Sequence, residues 1–287
     1  MPELPEVEAL RRDLSPGLIG RAIVRSDITK PKMLVTLDGL ELSGIHDRPI
    51  QTLSRRAKML IVRFDRGVSL VVHLKLAGQL VHRDGDRVIA AGGHPIPRFD
   101  APFPHRSTHG RFDLDDGTIL WFTDIRQFGR VTVLDSTSVD GFLASKKLGL
   151  EPFDASFTPA ALGASLRRHR ALPIKSALLD QANLAGLGNI YADEALHGSG
   201  IHPLWPAGGL DDDQLVRLHR AIVESLTYAI TNGVADLPAG KVRPDSDFPR
   251  AHGRRGLPCL VCQTTMVRIT VGARSTDYCP TCQPRPD

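Results

Sequence analysis

The chain has 287 residues, of which 41% are hydrophobic, 24% charged and 5% aromatic, and this length favours two domains over one. The composition excludes a disordered chain, a collagen-like chain and a disulfide scaffold. No stretch is apolar for long enough to cross a membrane, and the acidic start lacks the pattern of a signal peptide. We therefore expect a cytoplasmic protein without a membrane segment.

The formal net charge of +4 is distributed unevenly. Residues 240–287 contain eight Lys or Arg residues and four Asp residues, so this segment carries the entire net charge. A basic segment of this kind is typical of an anion-binding surface, for which nucleic acid is the commonest partner. On charge alone, a solubilising tail is an equal alternative.

The first part of the chain changes from a helical to a strand pattern. Apolar residues Val7, Leu10 and Leu14 have helical spacing and predict a helix at the start of the chain. Alternating segments separated by turn residues then predict strands over 60–64, 68–74, 111–114, 118–122 and 130–134. We therefore predict a helix followed by an antiparallel β-sandwich, together forming a domain over residues 1–136.

The pattern becomes helical after residue 136. Thr158-Pro159 is a favourable helix start, with Thr as the N-cap and Pro in the first turn. Further helices are predicted over 173–181, 190–196 and 211–231, and the Pro- and Gly-rich segment 234–250 is predicted to be a loop. The second domain would span residues 137–250, and the fold class would be an α+β multidomain protein.

All four cysteines lie near the C-terminus, as Cys259-x2-Cys262 and, sixteen residues on, Cys279-x2-Cys282. Two such pairs can direct four thiolates at one tetrahedral Zn²⁺. The alternative, two disulfides or a redox pair, is disfavoured in a cytosolic protein. Because four thiolates leave no open coordination position, the zinc would be structural and would hold a small β-hairpin finger over 251–287.

Two further segments carry candidate chemistry. The turn Gly186-Leu187-Gly188-Asn189 could bring backbone N–H groups close to a phosphate, although such a turn taken alone is more often a plain helix–helix corner. Removal of Met1 would leave Pro2 as a terminal secondary amine. An α-amino group has a pKa of about 7.7–8.0 and can attack carbon to form an iminium. Glu3 and Glu6 would supply carboxylates for proton transfer, but Pro-Glu is also a common helix start.

Taken together, six segments resemble the formamidopyrimidine-DNA glycosylases, a family that also includes endonuclease VIII. The segments occur in family order and span nearly the whole chain: Pro2–Glu8, Arg55–Lys58, Asp124–Gly129, Gly186–Glu194, Gly253–Cys259 and Arg274–Cys282. The resemblance implies an N-terminal β-sandwich, a helix–two-turn–helix module and a zinc finger. It also implies a monomeric bacterial base-excision enzyme that removes oxidised bases, of the 8-oxoguanine and formamidopyrimidine type, from duplex DNA.

The resemblance also implies roles for residues near the start of the chain. Pro2 would be the nucleophile at C1′ of the damaged nucleotide, and Glu3 would be the main acid and base. Glu6 would support that site, and Lys58 would hold a phosphate near it. The resulting Schiff base would lead to β,δ-elimination, which gives the enzyme its AP-lyase activity.

Further residues would contact DNA by the same resemblance. Lys175, Asn189 and Arg274 would bind phosphates, although ordinary surface charge is the simpler reading of Lys58, Lys175 and Arg274 without the matched segments. Arg126 and Phe128 would enter the duplex to fill the space left by the everted nucleotide.

Two departures leave the lesion preference open. Leu76 stands where the family has an intercalating Met, and it would be a stiffer apolar wedge; packing in the sandwich core is the alternative for Leu76 and Phe128. In addition, the lid segment Asn232–Arg250 looks short and lacks the usual Tyr-Phe stretch. The alternatives are an endonuclease VIII-like preference for oxidised pyrimidines or abasic sites, or a non-catalytic binder of damaged DNA.

The four-cysteine spacing makes a direct prediction. Purified protein should contain one zinc ion per chain, measured by inductively coupled plasma mass spectrometry, because the four thiolates form a closed tetrahedral site. A metal-free protein that is nevertheless folded and binds DNA would contradict the structural role of zinc.

Overall fold

The computed structural model describes residues 2–232 and 247–286, and the chain divides into two compact units, Met1–Lys146 and Lys147–Asp287. Most of the lid segment predicted over 232–250 lies outside the described residues. The finer domain division at residues 136 and 250 stays a prediction. Among the described residues, no helix has the length and apolar character that a bilayer span requires.

The first unit begins with helix α1 (Leu4–Leu18). Its apolar residues follow helical spacing, and Val7, Leu10, Leu14 and Leu18 are all buried. These side chains form one stripe that packs into the core of the unit. The helix predicted from the same spacing is therefore confirmed.

Ten strands follow α1 and form two five-stranded sheets. In chain order they are β1 (Ile23–Ile28), β2 (Leu34–Thr36), β3 (Ile50–Arg56), β4 (Met59–Phe64), β5 (Val68–His73), β6 (Gly78–Asp84), β7 (Arg87–Gly93), β8 (Thr108–Leu114), β9 (Ile119–Asp124) and β10 (Arg130–Asp135). One sheet has the spatial order β1-β8-β9-β6-β7 and the other the order β2-β10-β5-β4-β3. All the strands predicted from the sequence are present.

The two sheets share one apolar core with α1. Val62, Leu70 and Val72 contribute to it from one sheet, and Leu80 and Phe122 from the other. The pairing is antiparallel except between β2 and β10, which run parallel. The short helix α2 (Val139–Ser145) follows β10 and ends the unit.

The described residues of the second unit form four helices and a hairpin: α3 (Pro159–Arg167), α4 (Ile174–Leu179), α5 (Asn189–Ser199), α6 (Asp212–Asn232), β11 (Val267–Val271) and β12 (Arg274–Tyr278). The predicted N-cap of α3 is confirmed, since the Thr158 hydroxyl accepts the Ala161 backbone N–H at 3.1 Å. At α6, the Asp211 carboxylate accepts the Gln214 N–H at 2.7 Å. Side-chain caps therefore set the start of both helices.

The residue Phe248 belongs to the core of the second unit. It is 6% exposed and stacks on Tyr228, with ring centroids 5.4 Å apart; Tyr191 lies 6.1 Å away. This aromatic residue of the predicted lid segment is thus a packing residue.

A charge cluster on Glu8 fixes α1 against β3. The Glu8 carboxylate accepts from Arg11 and Arg12 on its own helix, both at 2.8 Å, and from Arg55 Nε at 3.3 Å. Burial opposes ionisation of Glu8, but the hydrogen bonds and charges of these arginines outweigh it and lower its pKa to about 2. The ionised carboxylate therefore stabilises the folded unit.

We expect Glu8→Gln to lower the free energy of unfolding by about 2 kcal/mol at neutral pH, because it removes a paired, largely buried charge. A depressed folded-state pKa contributes stability above the unfolded value of 4.5, and this contribution is lost as the pH falls towards about 2. Urea denaturation should therefore show the difference from wild type shrinking over that range. Asp13→Asn, at an exposed position of the same helix, is the control; equal effects of both substitutions at neutral pH would contradict the assignment.

Candidate active site and nucleic-acid interface

The N-terminal turn fixes two carboxylates at the start of α1. Glu3 is the N-cap residue, and its backbone N–H donates to the Glu6 carboxylate at 2.7 Å. In return the Glu3 side chain accepts the backbone N–H of Glu6, which completes a reciprocal capping box. Pro2 is buried directly before them, and Glu3 and Glu6 are only 2% and 7% exposed. The structure therefore brings Pro2, Glu3 and Glu6 together in one ordered turn.

The predicted phosphate ligand Lys58 lies in the tight turn between β3 and β4. The preceding residue, Ala57, has a φ of 52°, in the left-handed region. Arg55 holds this turn, since its Nη1 donates to the Ala57 carbonyl at 2.9 Å while its Nε contacts Glu8. One guanidinium therefore braces the Lys58 turn against α1, the helix that carries Glu3 and Glu6.

The sequence reasoning missed His73, the last residue of β5, which pairs in register with Met59 next to Lys58. Burial and the positive charges of Lys75, Lys58 and Lys146 lower the pKa of His73 to about 3. The imidazole is therefore neutral at physiological pH. Its Nδ1 accepts the Lys75 backbone N–H at 3.1 Å, so the proton resides on Nε2. A single histidine at a strand end carries no sequence signal for this arrangement.

The loop that carries Arg126 and Phe128 is organised around one buried carboxylate. Asp124, with no exposed surface, accepts the backbone N–H groups of Arg126, Phe128 and Gly129 at 2.8, 2.9 and 2.7 Å. A side chain at Gly129 would clash, because its Cβ would lie 2.6 Å from the Phe122 ring. The Asp-x-x-x-x-Gly spacing within the matched segment therefore reflects loop geometry.

Both predicted wedge residues of this loop are exposed. Phe128 is 46% exposed, and the Arg126 guanidinium lies 5.3 Å from the centroid of the Phe128 ring. Leu76 is half-buried in the turn after β5, beside Lys75, and does not belong to the buried core of the sandwich. Core packing therefore does not explain Phe128 or Leu76, and their contact with DNA stays a prediction.

In the second unit, the predicted glycine turn connects α4 to α5. Gly186 has a φ of 92°, which favours glycine, and its N–H donates to the Gln181 side chain at 2.9 Å. Gln181 also donates to the Leu187 carbonyl at 2.8 Å. This side chain, which the sequence reasoning missed, fixes the turn that presents Asn189 as the first residue of α5.

The structure brings Asn189 and the finger residue Arg274 to the same place. The Asn189 Nδ2 donates to the carbonyl of Ser275 at 3.0 Å, and Ser275 follows Arg274 at the start of β12. Arg274 is exposed. Two residues from distant parts of the sequence therefore lie close together, and their contact with phosphates stays a prediction.

Lys175 is placed differently from the two other predicted phosphate ligands. It has no exposed surface and forms an ion pair with Asp193, which is itself 1% exposed. The other Asp193 oxygen lies 2.7 Å from His252 Nδ1. Lys175 thus balances a buried carboxylate between α4 and α5, and a direct contact with DNA stays a prediction.

Part of the positive charge of residues 240–287 is neutralised by ion pairing within the finger. Arg268 donates to both oxygens of Asp277 at 2.6 and 2.7 Å across the β11–β12 hairpin. Arg254 has no exposed surface. The Asp277 carboxylate also accepts the Gly253 N–H at 2.7 Å. The exposed positive charge at this end is therefore smaller than the sequence count.

A buried acid holds the chain segment that leads into the finger. Glu194 accepts the backbone N–H groups of Arg250, Ala251 and His252 at 2.6, 2.9 and 2.8 Å. Burial raises the pKa of Glu194, against the effect of these three donors. Helix α5 thereby connects the glycine turn to the finger.

The four cysteine sulfurs fit a zinc ion. All four lie within 4.8 Å of one another, and Cys262 and Cys279 are 3.4 Å apart. Tetrahedral ligands at a Zn–S distance of about 2.3 Å have sulfurs about 3.8 Å apart. The His197 Nε2 lies 3.3 Å from the Cys259 sulfur, and the Val261 N–H also points to that sulfur at 3.5 Å. Such outer contacts stabilise thiolate ligands, so the finger can hold one structural zinc.

The buried acid pair beside Pro2, the helical module and the four-cysteine finger are the features that the resemblance implies for a DNA-processing enzyme with structural zinc. Residues 1–131 match the formamidopyrimidine-DNA glycosylase N-terminal domain, 148–237 the H2TH domain of the same enzymes, and 256–285 the zinc finger found in FPG and IleRS. The chain belongs to the formamidopyrimidine-DNA glycosylase family.

Relatives with this name align over the full length. The formamidopyrimidine-DNA glycosylase of Chloroflexus aggregans is 42% identical, with 99% of this chain and 98% of the relative covered. That of Pelotomaculum thermopropionicum is 39% identical, with 99% of both covered.

Solved structures of the Lactococcus lactis enzyme Fpg resemble this chain throughout. A complex with DNA containing an abasic site has a TM-score of 0.84 and 30% identity, covering 99% of this chain and 100% of that one. Complexes with DNA containing FAPY-dG and with DNA containing an oxidised pyrimidine also have TM-scores of 0.84, at 29% and 31% identity and with the same coverage.

We call the loop that carries Arg126 and Phe128 the wedge loop. Substitution of Asp124 tests whether its carboxylate orders this loop. We expect Asp124→Asn to lower the free energy of unfolding by about 2 kcal/mol, since an amide cannot accept three N–H groups as a carboxylate does. The loop should also become easier for trypsin to cleave after Arg126. Urea denaturation and timed proteolysis measure both effects. Asp100→Asn, on an exposed loop of the same unit, is the control, and indistinguishable behaviour of the two variants would rule out the assigned role of Asp124.

Proposed function

We propose that this chain is a cytoplasmic base-excision repair enzyme that removes oxidised bases of the 8-oxoguanine and formamidopyrimidine type from duplex DNA. It then cleaves the strand at the resulting abasic site by β,δ-elimination. The observation that carries this proposal is the reciprocal capping box of Glu3 and Glu6, buried directly behind Pro2. The names and DNA complexes of the relatives support the same activity.

The first step uses the secondary amine of Pro2 after removal of Met1. The nitrogen attacks C1′ of the damaged nucleotide, the glycosidic bond breaks and the base leaves with its electron pair. Glu3 accepts the proton of the attacking amine and passes it to the sugar ring oxygen as the ring opens, which yields an iminium between Pro2 and C1′, while the released base takes a proton from water. The capping box suits this role, because it holds the Glu3 carboxylate in one orientation next to the amine.

The second step cleaves the strand. The iminium acidifies the proton on C2′, and its removal expels the 3′ phosphate. A further elimination then expels the 5′ phosphate. Lys58 and the neutral His73 would hold a phosphate close to the reacting sugar, one as a cation and the other as an N–H donor.

Access to the base requires eversion of the nucleotide from the duplex. Asn189 donates to the carbonyl of Ser275, the residue after Arg274. Asn189 and Arg274 would bind the phosphates that flank the everted nucleotide. Leu76, Arg126 and Phe128 would occupy the space left in the stack; the exposure of Phe128 on an ordered loop supports this. Zinc at the four cysteines would keep Arg274 in place by folding the hairpin.

Borohydride trapping tests the amine mechanism. Sodium borohydride should reduce the iminium to a stable covalent complex with lesion-containing duplex, and Pro2→Gly should reduce its yield greatly. Pro16→Gly, the same substitution at an exposed position of α1, should trap like wild type. Intact mass should show that Met1 is absent. Persistent trapping by protein with a blocked N-terminus would falsify the proline mechanism.

A second candidate is a preference for oxidised pyrimidines. The complex of the Lactococcus lactis relative with DNA containing an oxidised pyrimidine supports it. In the same assay, duplexes containing 8-oxoguanine, formamidopyrimidine, thymine glycol, dihydrouracil or an abasic site distinguish the two preferences by their relative nicking rates. A non-catalytic binder would nick none of them, including the abasic duplex.

A further inference from the structure

Strand register collects cationic side chains at one edge of the sheet that contains β5. His73 at the end of β5 lies opposite Arg130, the first residue of β10. Lys75 follows two residues later in a turn with a φ of 54°, and its backbone N–H donates to His73. The charge of Lys146, at the end of α2, also reaches this histidine. We call Lys75, Arg130 and Lys146 the cationic patch.

The three cations of this patch are close enough to influence one another. Burial, followed by the charges of Arg130 and Lys146, lowers the pKa of Lys75. Lys75 and Lys146 are exposed and Arg130 is half-exposed. The side chains therefore present concentrated positive charge to solvent, and bringing such charges together without an anion is unfavourable.

The patch lacks the carboxylates that accompany other arginines of the same unit. Arg66, Arg87 and Arg98 lie 4.0, 2.8 and 2.7 Å from neighbouring aspartates. Within the described part of the chain, no ion pair involves Lys75, Arg130 or Lys146. An external anion is thus the missing counter-charge, and the spread of the cations over a turn, a strand and a helix suits several anionic groups in a row.

The patch is also connected to the wedge loop. Arg130 Nη1 donates to the carbonyls of Phe128 and Gly129, both at 2.9 Å. An anion held by this guanidinium would therefore lie next to the loop that carries Phe128. Lys75 similarly precedes Leu76, so both predicted wedge segments adjoin the patch.

We propose that Lys75, Arg130 and Lys146 bind successive backbone phosphates of duplex DNA beside the wedge loop, as a site additional to Lys58, Asn189 and Arg274. This inference rests on the proposed function. Its consequence is a contribution to affinity that is independent of the lesion and steeply dependent on salt. Binding at these phosphates would keep Phe128 and Leu76 against the base stack while the enzyme examines the duplex for a lesion.

The test compares two triple variants that lose the same charge. K75Q/R130Q/K146Q removes the patch, whereas R66Q/R87Q/R98Q removes three arginines that already pair with aspartates. Fluorescence anisotropy with a duplex containing a tetrahydrofuran abasic analogue gives Kd over a series of KCl concentrations. For the patch variant, the slope of log K against log salt should fall by about 0.9 for each lost phosphate contact, or about 2 to 3 in all. The control should keep the wild-type slope.

Further measurements separate binding from folding and from loop geometry. Thermal melts show whether each variant is folded. The single variants Lys75→Gln and Lys146→Gln, at exposed positions, show whether the loss of salt slope persists when only one charge is removed. Arg130→Lys keeps the charge but loses the paired contact with the wedge loop, so it should retain the salt slope. A patch variant with the slope of wild type, or a control with an equal loss, overturns the inference.

Failure of this inference can be distinguished from failure of the proposed function. If wild type is trapped by borohydride and the patch variant keeps its salt slope, the patch proposal alone is wrong. If wild type forms no trapped complex but the patch variant still loses slope, the proposed chemistry is wrong and the patch remains a DNA-binding surface.

Discussion

The reciprocal hydrogen bonds between Glu3 and Glu6 are the constraint on which the candidate active site depends. One pair of contacts starts α1 and orients both carboxylates beside Pro2. The same helix is then held to the Lys58 turn through Glu8 and Arg55. The helix start and the proposed chemistry therefore use the same carboxylates, and a change in one would disturb the other. This explains why acidic side chains can remain buried at the end of the chain, where segments usually fray.

In the second unit, buried carboxylates are likewise held by specific partners. Asp193 is balanced by Lys175 and also contacts His252, while Asp277 is balanced by Arg268. Such pairs contribute little net stability, but they penalise any arrangement that separates the partners. They thus favour a single relation between α4 and α5, and a single pairing of β11 with β12.

Most of the fold could be predicted from the sequence because periodicity and caps are local properties. The stripe at Val7, Leu10 and Leu14 and the Thr158 cap both appear in the structure as expected. The zinc ligands were predictable for the same reason. The burial of Lys175 was not, because its partner lies eighteen residues away and only the packing of α4 on α5 reveals it. The net charge of residues 240–287 likewise does not show that Arg268 pairs with Asp277 inside the finger. The position of His73 beside Arg130 depends on strand register, which the sequence does not reveal.

The buried carboxylate of Asp124 has a consequence for the search for damage. Three backbone N–H groups bound to one side chain leave the loop with few alternative conformations before DNA arrives. Ordering a loose loop on each encounter would cost about 1–2 kcal/mol for every residue fixed. A protein that scans long stretches of intact duplex repeats that encounter at each base pair. If the loop enters the duplex as proposed, its prior order removes this cost from each encounter with an undamaged position.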